Sequence, residues 1–329
     1  MSAPGAVDIA RVGRGAIADI AESAGVLVAT SFADNMVALI DPSARTIRDI
    51  PVDGEPFAVV VADDRAYVAL SAAEFDGVAV IDLVTGSEIA TYPLASGVSA
   101  LAVSPDGKRV FAGRATDTYI DVAVIDVTAD RIGTIEIATG PAISIDALAV
   151  DHTGRRLYVA TTDEVGSQLV VVDTETARVR NTIVIGAPIR CLALGPDNTA
   201  YVLTSDLVDR GEVYTVDLAS GRATGRVSVG DAPTQLVVGA DGTRAYVVDY
   251  DRVTVFCTQT GHLVDVIEAY AQPSCVAVSQ DGARLYVADC AGEITAVEVT
   301  APQQLLYSQF MATKSVGMPE VRALEAAAI

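Results

Sequence analysis

Carboxylates are the side chains of this sequence that are best suited to chemistry, and they fall into two sets. Converging carboxylate oxygens can bind Ca²⁺, and a dense acidic surface attracts a basic protein or peptide. The first set recurs at intervals of 41 to 47 residues, each time at the end of a short apolar run: Asp41, Asp82, Asp126, Asp173 and Asp217. The second set lies in polar segments of variable length: Asp117, Asp163, Glu164, Asp206, Asp209, Asp249 and Asp251.

The regular set is best explained as structural. An aspartate that nearly every repeat contains is expected to cap the turn that follows, because its side-chain oxygens accept hydrogen bonds from nearby turn N–H groups. Cys257 and Glu298 occupy the same position in the last two repeats. The irregular set is left for binding a basic partner or a divalent cation, the latter through Asp249 and Asp251 or through Asp206 and Asp209. The alternative is that these acids are only solvated loop residues.

The composition disfavours metal centres built from imidazoles or thiolates, and also His-based nucleophilic catalysis. The only two histidines, His152 and His262, fall in turns of different repeats, whereas copper and zinc sites need clustered ligands. The four cysteines form no Cys-x-x-Cys motif, and Cys191 and Cys275 share one strand position, as small buried apolar residues would. We therefore expect no metal, no cofactor and a reducing compartment.

Short strands are the elements that must position these residues. Residues 146 to 186 hold four apolar runs separated by turn signals, and their alternation and β-branched residues favour strand over helix. Four such antiparallel strands form one small sheet, which needs similar neighbours to bury its faces. Copies run through the whole chain and are marked by a recurring residue pair: Leu27-Val28, Tyr67-Val68, Val110-Phe111, Tyr158-Val159, Tyr201-Val202, Tyr246-Val247 and Tyr286-Val287.

Seven copies of a four-stranded unit predict an all-β, seven-bladed β-propeller with antiparallel blades. We expect one domain over residues 1–310 and a C-terminal tail over 311–329, in which residues 321–329 could form a short helix. Residues 7–13 look like a fourth strand without its first three, and we expect them to complete the last blade, because an open ring exposes two sheet edges. Residues 303–308 compete for that place or could lie beside it as a fifth strand.

A Pro-Asp-Gly turn followed by two apolar runs resembles the YVTN-repeat β-propellers of bacteria and archaea. The pattern is carried by Ser104-Pro-Asp-Gly107, Val110-Phe111 and Val124-Ile-Asp126, and again by Gly195-Pro-Asp197, Tyr201-Val202 and Val216-Asp217. The resemblance covers about residues 7 to 300 and implies the propeller fold. It does not specify a function, since that family includes surface-layer proteins, adaptors and some enzymes.

The two faces of such a propeller are expected to differ. Turns between first and second strands are short and uniform, whereas segments between second and third strands vary in length and composition, as binding loops do. The candidate binding residues on the variable face are Asp117, Tyr119, Asp163, Glu164, Asp206, Asp209, Arg210, Asp249, Tyr250 and Asp251. With Tyr119 and Tyr250, nearby arginines could bind an anionic or carbohydrate ligand, but we expect them to pair with neighbouring acids: Arg114, Arg190, Arg210 and Arg252.

The overall charge narrows the choice of partners. With 43 acidic and 22 basic residues the net charge is −21, which repels nucleic-acid phosphates and anionic lipid surfaces. No apolar run reaches the length of a membrane span, and the first fifteen residues lack the apolar core of a signal peptide. We therefore expect a monomeric cytoplasmic propeller that neither binds nucleic acid nor inserts into a membrane.

Two functions from different classes remain. The first is a non-enzymatic interaction platform that binds a protein partner with a basic surface through the acidic loops. The second is a lactonase-type hydrolase at the channel mouth, which the propeller resemblance allows, with Arg114, Asp117, Asp206 and Arg210 as candidate residues. The absence of a catalytic constellation in the sequence favours the first function.

Overall fold

The computed structural model describes residues 6–95, 97–206, 210–268 and 271–299. Within these residues the chain forms seven four-stranded antiparallel sheets and a 3₁₀ turn at Phe32–Asp34, which confirms the predicted seven-bladed β-propeller. Internal contacts divide the chain into Met1–Glu298 and Val299–Ile329, and the propeller belongs to the first unit. The boundary expected at residue 310, the competing strand at 303–308 and the helix at 321–329 lie outside the described residues.

The blades are numbered here in chain order, and each begins with its innermost strand, since the first strands of successive blades contact one another. Blade 1 contains β2 (Ile17–Ser23), β3 (Val26–Ser31), β4 (Met36–Asp41) and β5 (Thr46–Pro51). Blade 2 contains β6 (Glu55–Ala62), β7 (Arg65–Ser71), β8 (Asp76–Asp82) and β9 (Ser87–Leu94). Blade 3 contains β10 (Val98–Val103), β11 (Arg109–Ala115), β12 (Tyr119–Asp126) and β13 (Arg131–Thr139).

The remaining blades repeat this arrangement. Blade 4 contains β14 (Ser144–Val150), β15 (Arg156–Thr162), β16 (Ser167–Asp173) and β17 (Arg178–Val184). Blade 5 contains β18 (Ile189–Leu194), β19 (Thr199–Asp206), β20 (Arg210–Asp217) and β21 (Arg222–Gly230). Blade 6 contains β22 (Gln235–Val238), β23 (Arg244–Val248), β24 (Arg252–Cys257) and β25 (Leu263–Glu268). Blade 7 contains β26 (Pro273–Val278), β27 (Arg284–Asp289) and β28 (Glu293–Glu298), with β1 (Ala6–Arg11) as its outer strand.

The ring is closed by the N-terminal strand, as predicted. β1 pairs antiparallel with β28, with Ala6 opposite Val297 and Arg11 opposite Glu293. The N–H of Val12 continues the ladder by donating to the carbonyl of Gly292 at 2.7 Å. This pairing joins the two ends of the propeller, so that blade 7 has four strands like the others.

The core lies between the blades, where facing sheets bury their apolar side chains. The recurring aromatic residue of the second strand is central to it: Tyr67 is fully buried and packs with Val110 and Ala112 of blade 3. Its hydroxyl donates a 2.8 Å hydrogen bond to the carbonyl of Gly107 in the next blade's first turn. The residue pair that marks each repeat in the sequence therefore marks the contact between blades.

The aspartate that ends the third strand in five of the seven blades caps the next turn, which confirms its predicted structural role. Asp126 accepts hydrogen bonds from the N–H groups of Thr128 and Ala129 at 3.0 and 2.9 Å and from the Thr128 hydroxyl at 2.8 Å. The other four aspartates accept equivalent bonds from residues two or three positions further on. These bonds hold the pKa of all five carboxyl groups below their usual range.

We expect Asp126→Ala to lower the thermal unfolding midpoint at neutral pH, because the turn loses its charged acceptor. The hydrogen bonds hold the pKa of the folded carboxyl group below that of an unfolded aspartate, so its stabilisation is complete above the unfolded pKa and is lost as the pH falls through the folded pKa. The gap between the two proteins should therefore narrow as the pH drops below about 4 in thermal unfolding followed by circular dichroism.

Asp126→Asn is the matched control for this prediction. It keeps one side-chain oxygen as an acceptor but cannot titrate, so its stability should lie between those of the wild type and the alanine variant at neutral pH. A gap between wild type and alanine variant that stays constant down to about pH 2 would contradict the capping role of the charge.

Candidate functional site

The propeller has two distinct faces. The loop face carries the hairpins between second and third strands and the connections from one blade to the next. The turn face, at the other end of the strands, carries the hairpins between first and second and between third and fourth strands. The described hairpins of the loop face are residues 32–35, 72–75, 116–118, 163–166, 249–251 and 290–292.

Three acids of the loop face fix the connections between blades. Asp249 is 6% exposed, and its carboxylate accepts hydrogen bonds from the N–H groups of Ala232 at 3.0 Å and Tyr250 at 2.8 Å. In blade 2, Asp76 accepts from the N–H groups of Gly97 and Val98 at 2.6 and 3.1 Å. Asp34 accepts in the same way from Arg14 in blade 1, at 2.8 Å. These carboxylates hold the loops in place and are engaged with the backbone.

The other candidate acids differ in their engagement. Asp163 caps its own hairpin, accepting from the N–H groups of Val165 at 2.8 Å and Gly166 at 3.0 Å. Glu164 and Asp117 are exposed at the tips of their hairpins. Asp206 is half-buried at the end of β19, and the predicted Asp209 lies outside the described residues.

Three of the four arginines expected to pair with neighbouring acids do form ion pairs within the described chain, and Arg190 does not. Arg114 makes a two-pronged pair with Asp121, with Nε 2.7 Å from Oδ1 and Nη2 2.8 Å from Oδ2. That pair is largely buried, with side-chain exposures of 15% and 7%. The remaining pairs lie at the surface and join Arg210 to Asp231 at 3.1 Å and Arg252 to Asp251 at 2.7 Å. Arg190 is exposed and forms no ion pair with the rest of the described chain.

Exposed apolar side chains stand among these charges on the loop face. Tyr119 and Tyr250, both predicted site residues, are 43% and 66% exposed. Sequence reasoning missed Phe32, Val165 and Val184, which are 46%, 97% and 80% exposed. A signal for one of them was present, since Val165 stands between Glu164 and Gly166 in a polar hairpin where no strand buries it. Exposed carboxylates and exposed apolar side chains therefore lie on the same face.

The second feature that the sequence did not reveal is a carboxylate between the inner strands. Asp19 on β2 accepts hydrogen bonds from the N–H of Val59 in blade 2 at 2.9 Å and from the N–H of Ile20 at 3.0 Å. Its Oδ1 also accepts from Nε2 of Gln235 in blade 6 at 3.2 Å. The Oε1 of Gln235 in turn accepts from the N–H of Val276 in blade 7 at 2.7 Å. One chain of hydrogen bonds thus links blades 6, 7, 1 and 2.

Burial raises the pKa of Asp19 to about 6, against the effect of its three hydrogen bonds. The thiols of Cys191 and Cys275 lie nearby, and burial followed by the Asp19 charge raises the pKa of each. An alignment of the seven repeats could have found this residue. Asp19 is the one carboxylate among the seven residues that share its position on the inner strand, and this aligned position is called its column. The other members of that column are Ala58, Ala100, Ala147, Cys191, Gln235 and Cys275.

The donor groups of the described residues do not converge on a metal. No three His, Cys, Asp or Glu side chains in the part of the chain covered by the structure come close enough to hold one ion. Nor does any helix among those residues have the length and hydropathy needed to cross a membrane.

Comparison with known proteins finds two similar curated chains. A seven-bladed β-propeller protein of Mycolicibacterium smegmatis (strain ATCC 700084 / mc(2)155) is 52% identical over 309 residues, which covers 93% of this chain and 84% of the relative. The seven-bladed β-propeller protein Rv1057 of Mycobacterium tuberculosis (strain ATCC 25618 / H37Rv) is 33% identical over 321 residues, covering 86% and 81%. No family model matches the chain, so the finer resemblance to YVTN-repeat proteins stays a hypothesis.

Solved structures share the fold at low sequence identity. A chain of the hydrazine synthase of Kuenenia stuttgartiensis superimposes with a TM-score of 0.78 at 18% identity, covering 88% of this chain and 97% of that one. A chain in the crystal structure of the mitotic checkpoint complex gives a TM-score of 0.72 at 14% identity, with coverages of 90% and 94%. Likeness at such identities shows the architecture alone.

We expect Asp19 to make stability fall as the pH rises from about 4 to about 6.5. The unfolded carboxyl group ionises near 3.8 and the folded one near 6, so between these values the folded state binds more protons and a rise in pH favours unfolding. The full effect corresponds to about 3 kcal/mol of unfolding free energy. Urea unfolding of the wild type and of Asp19→Asn across this range measures it, since the amide does not titrate.

The difference in unfolding free energy between the two proteins isolates the Asp19 contribution, because every other titrating group is shared. That difference should change steadily over the window and level off above about pH 7. A pH-independent difference would show that the Asp19 carboxyl group titrates alike in folded and unfolded chains.

Proposed function

We propose that this chain, which belongs to the family of seven-bladed β-propeller proteins represented by the two mycobacterial relatives, is a non-enzymatic interaction platform. Its loop face binds a protein partner that presents basic and apolar side chains. The observation that carries the proposal is the set of exposed apolar side chains that lie on the same face as exposed carboxylates.

One exposed apolar side chain lies on a hairpin that is fixed by hydrogen bonds. The hairpin 163–166 is fixed by the Asp163 carboxylate, yet it leaves Val165 97% exposed. Val184, 80% exposed, ends β17 beside the same hairpin. Burying such a side chain against a partner is worth about 1.5 to 3 kcal/mol. Tyr250, on the hairpin of blade 6, adds the kind of aromatic residue that often anchors an interface.

The loops are also preorganised for binding. Asp34, Asp76 and Asp249 tie the blade connections to the hairpins through hydrogen bonds to backbone N–H groups. A partner therefore meets a surface whose conformational entropy has already been lost during folding, which lowers the entropic cost of association. Glu164 and Asp117 are among the exposed acids of this face that can meet a cation.

Charge identifies the class of partner. The net charge of −21 speeds encounter with a basic surface and suppresses binding to anionic ones. Lys or Arg side chains of the partner would face Asp117 and Glu164, while its apolar side chains would cover Val165 and Tyr250. The hydrolase alternative has no comparable support, because Arg114 is engaged with Asp121 and Arg210 with Asp231.

We expect the double variant Asp117→Lys/Glu164→Lys to lose partner binding at least about tenfold, because it replaces two exposed carboxylates by cations. The full-length protein serves as bait in its own cells, with captured proteins quantified by mass spectrometry at low and moderate salt. Val165→Ser/Tyr250→Ser changes no charge and should weaken capture of the same protein with less dependence on salt.

The matched control is Asp64→Lys/Asp197→Lys, which makes the same charge change in exposed hairpins of the turn face. It should capture the partner as the wild type does. If the control lost as much partner binding as the loop-face variant, net charge alone would explain the loss. Undiminished capture by the loop-face variants would exclude this face as the docking surface. Thermal unfolding midpoints of all variants should match that of the wild type.

A further inference from the structure

Cys257 occupies the position that five other blades give to an aspartate. β24 ends at this residue, as β4, β8, β12, β16 and β20 end at the capping aspartates. In those blades the carboxylate accepts hydrogen bonds from N–H groups two or three residues further on. In blade 6 the equivalent donors are the N–H groups of Gln259 and Thr260, with the Thr260 hydroxyl. The turn is suited to an anion, and blade 6 places a thiol in it.

A buried arginine lies opposite this thiol on the neighbouring strand. Arg244 pairs in register with Cys257, in the place where Arg109 pairs with Asp126 in blade 3. Arg244 is 7% exposed, and its Nη2 has no hydrogen-bond partner within the described chain. A guanidinium group keeps its charge at any pH at which proteins fold, so a buried one calls for an anion. The thiolate of Cys257 is the anion that the register brings to it.

None of the neighbouring titratable groups in the described chain forms an ion pair with Arg244. The pKa of Tyr246 on β23 and that of Tyr201 on β19 are raised, chiefly by burial, which keeps both phenols neutral. The carboxylate of Asp241 accepts hydrogen bonds from the N–H and the hydroxyl of Thr243 at 2.9 and 2.6 Å. His262 belongs to the same turn and accepts, through its carbonyl, the N–H of Cys257 at 2.9 Å.

Burial alone would raise the pKa of the Cys257 thiol. The hydrogen bonds from Thr260 and Gln259, together with the charge of Arg244, outweigh burial and lower that pKa overall. Cys257 is half-buried, whereas Cys290, in the hairpin between β27 and β28, is exposed. If exposure decided reactivity, Cys290 would react faster, whereas if thiolate character decided it, Cys257 would react faster.

We propose that Cys257 and Arg244 form a thiolate site on the turn face that is oxidised by hydroperoxides to a sulfenate held by the guanidinium. The sulfur attacks one peroxide oxygen, so that an S–O bond forms while the O–O bond breaks. The electron pair leaves on the distal oxygen, which takes a proton from solvent and departs as water or an alcohol. Sulfur is oxidised by two electrons and the peroxide is reduced by two. The sulfenic acid that forms gives its proton to solvent, and the resulting sulfenate oxygen accepts a hydrogen bond from Nη2 of Arg244.

The test follows the four cysteines of the full-length protein by peptide mass spectrometry. Iodoacetamide labelling rates between about pH 5 and pH 9 report the thiolate fraction of each, and dimedone traps sulfenic acid after treatment with hydrogen peroxide. At about pH 6.5 we expect Cys257 to be alkylated about ten times faster than Cys290, with its midpoint below the ordinary value of about 8.5. Dimedone should label Cys257 before any other cysteine.

Two variants separate the thiolate site from a merely accessible thiol. Thr260→Ala removes one donor in an exposed turn and should move the Cys257 midpoint to higher pH with the fold intact. Arg244→Gln should also move the Cys257 midpoint to higher pH, and it should shorten the lifetime of the sulfenate. If Arg244→Gln does not fold, Thr260→Ala alone still tests the proposal. Faster alkylation of Cys290 at about pH 6.5, an unmoved midpoint in Thr260→Ala, or the absence of dimedone on Cys257 would each overturn the proposal.

Discussion

A four-stranded blade has two apolar faces and no core of its own, and the rest of the molecule depends on this constraint. Tyr67 shows how it is met: the ring packs against the next blade and its hydroxyl donates to the carbonyl of Gly107 there. Because every blade packs against two neighbours, an unclosed row of blades would leave a sheet edge and an apolar face exposed at each end. The pairing of β1 with β28 closes the ring and covers them.

Features that repeat with the blade could be predicted from the sequence, and features that join distant blades could not. The strand period, the closing strand and the capping role of Asp126 all follow from local patterns that the chain shows several times. The link between Asp19 and Gln235 spans 216 residues, and although both residues stand out when the repeats are compared, nothing local pairs one with the other. Asp249 looks like any loop acid in the sequence, yet it is buried because the backbone near Ala232 supplies its donors.

One residue type serves different purposes according to its place in the blade. At the ends of third strands aspartates cap turns, and on the loop face Asp34 and Asp76 secure the connections between blades. Between the inner strands, burial changes the acidity of Asp19 itself. Only where no backbone donor is near, as at Glu164, is the charge left for another molecule. An acidic composition alone therefore overstates the surface that is free to bind.

Closure by the first strand also determines when folding can be completed during synthesis. Ala6 leaves the ribosome well before its partner Val297, which is added almost 300 residues later. At about 5 to 20 residues per second, β1 waits roughly 15 to 60 seconds without its neighbour. Through that interval β1 and the open face of blade 1 are exposed to other nascent chains, and the last step of folding has to wait for the last blade.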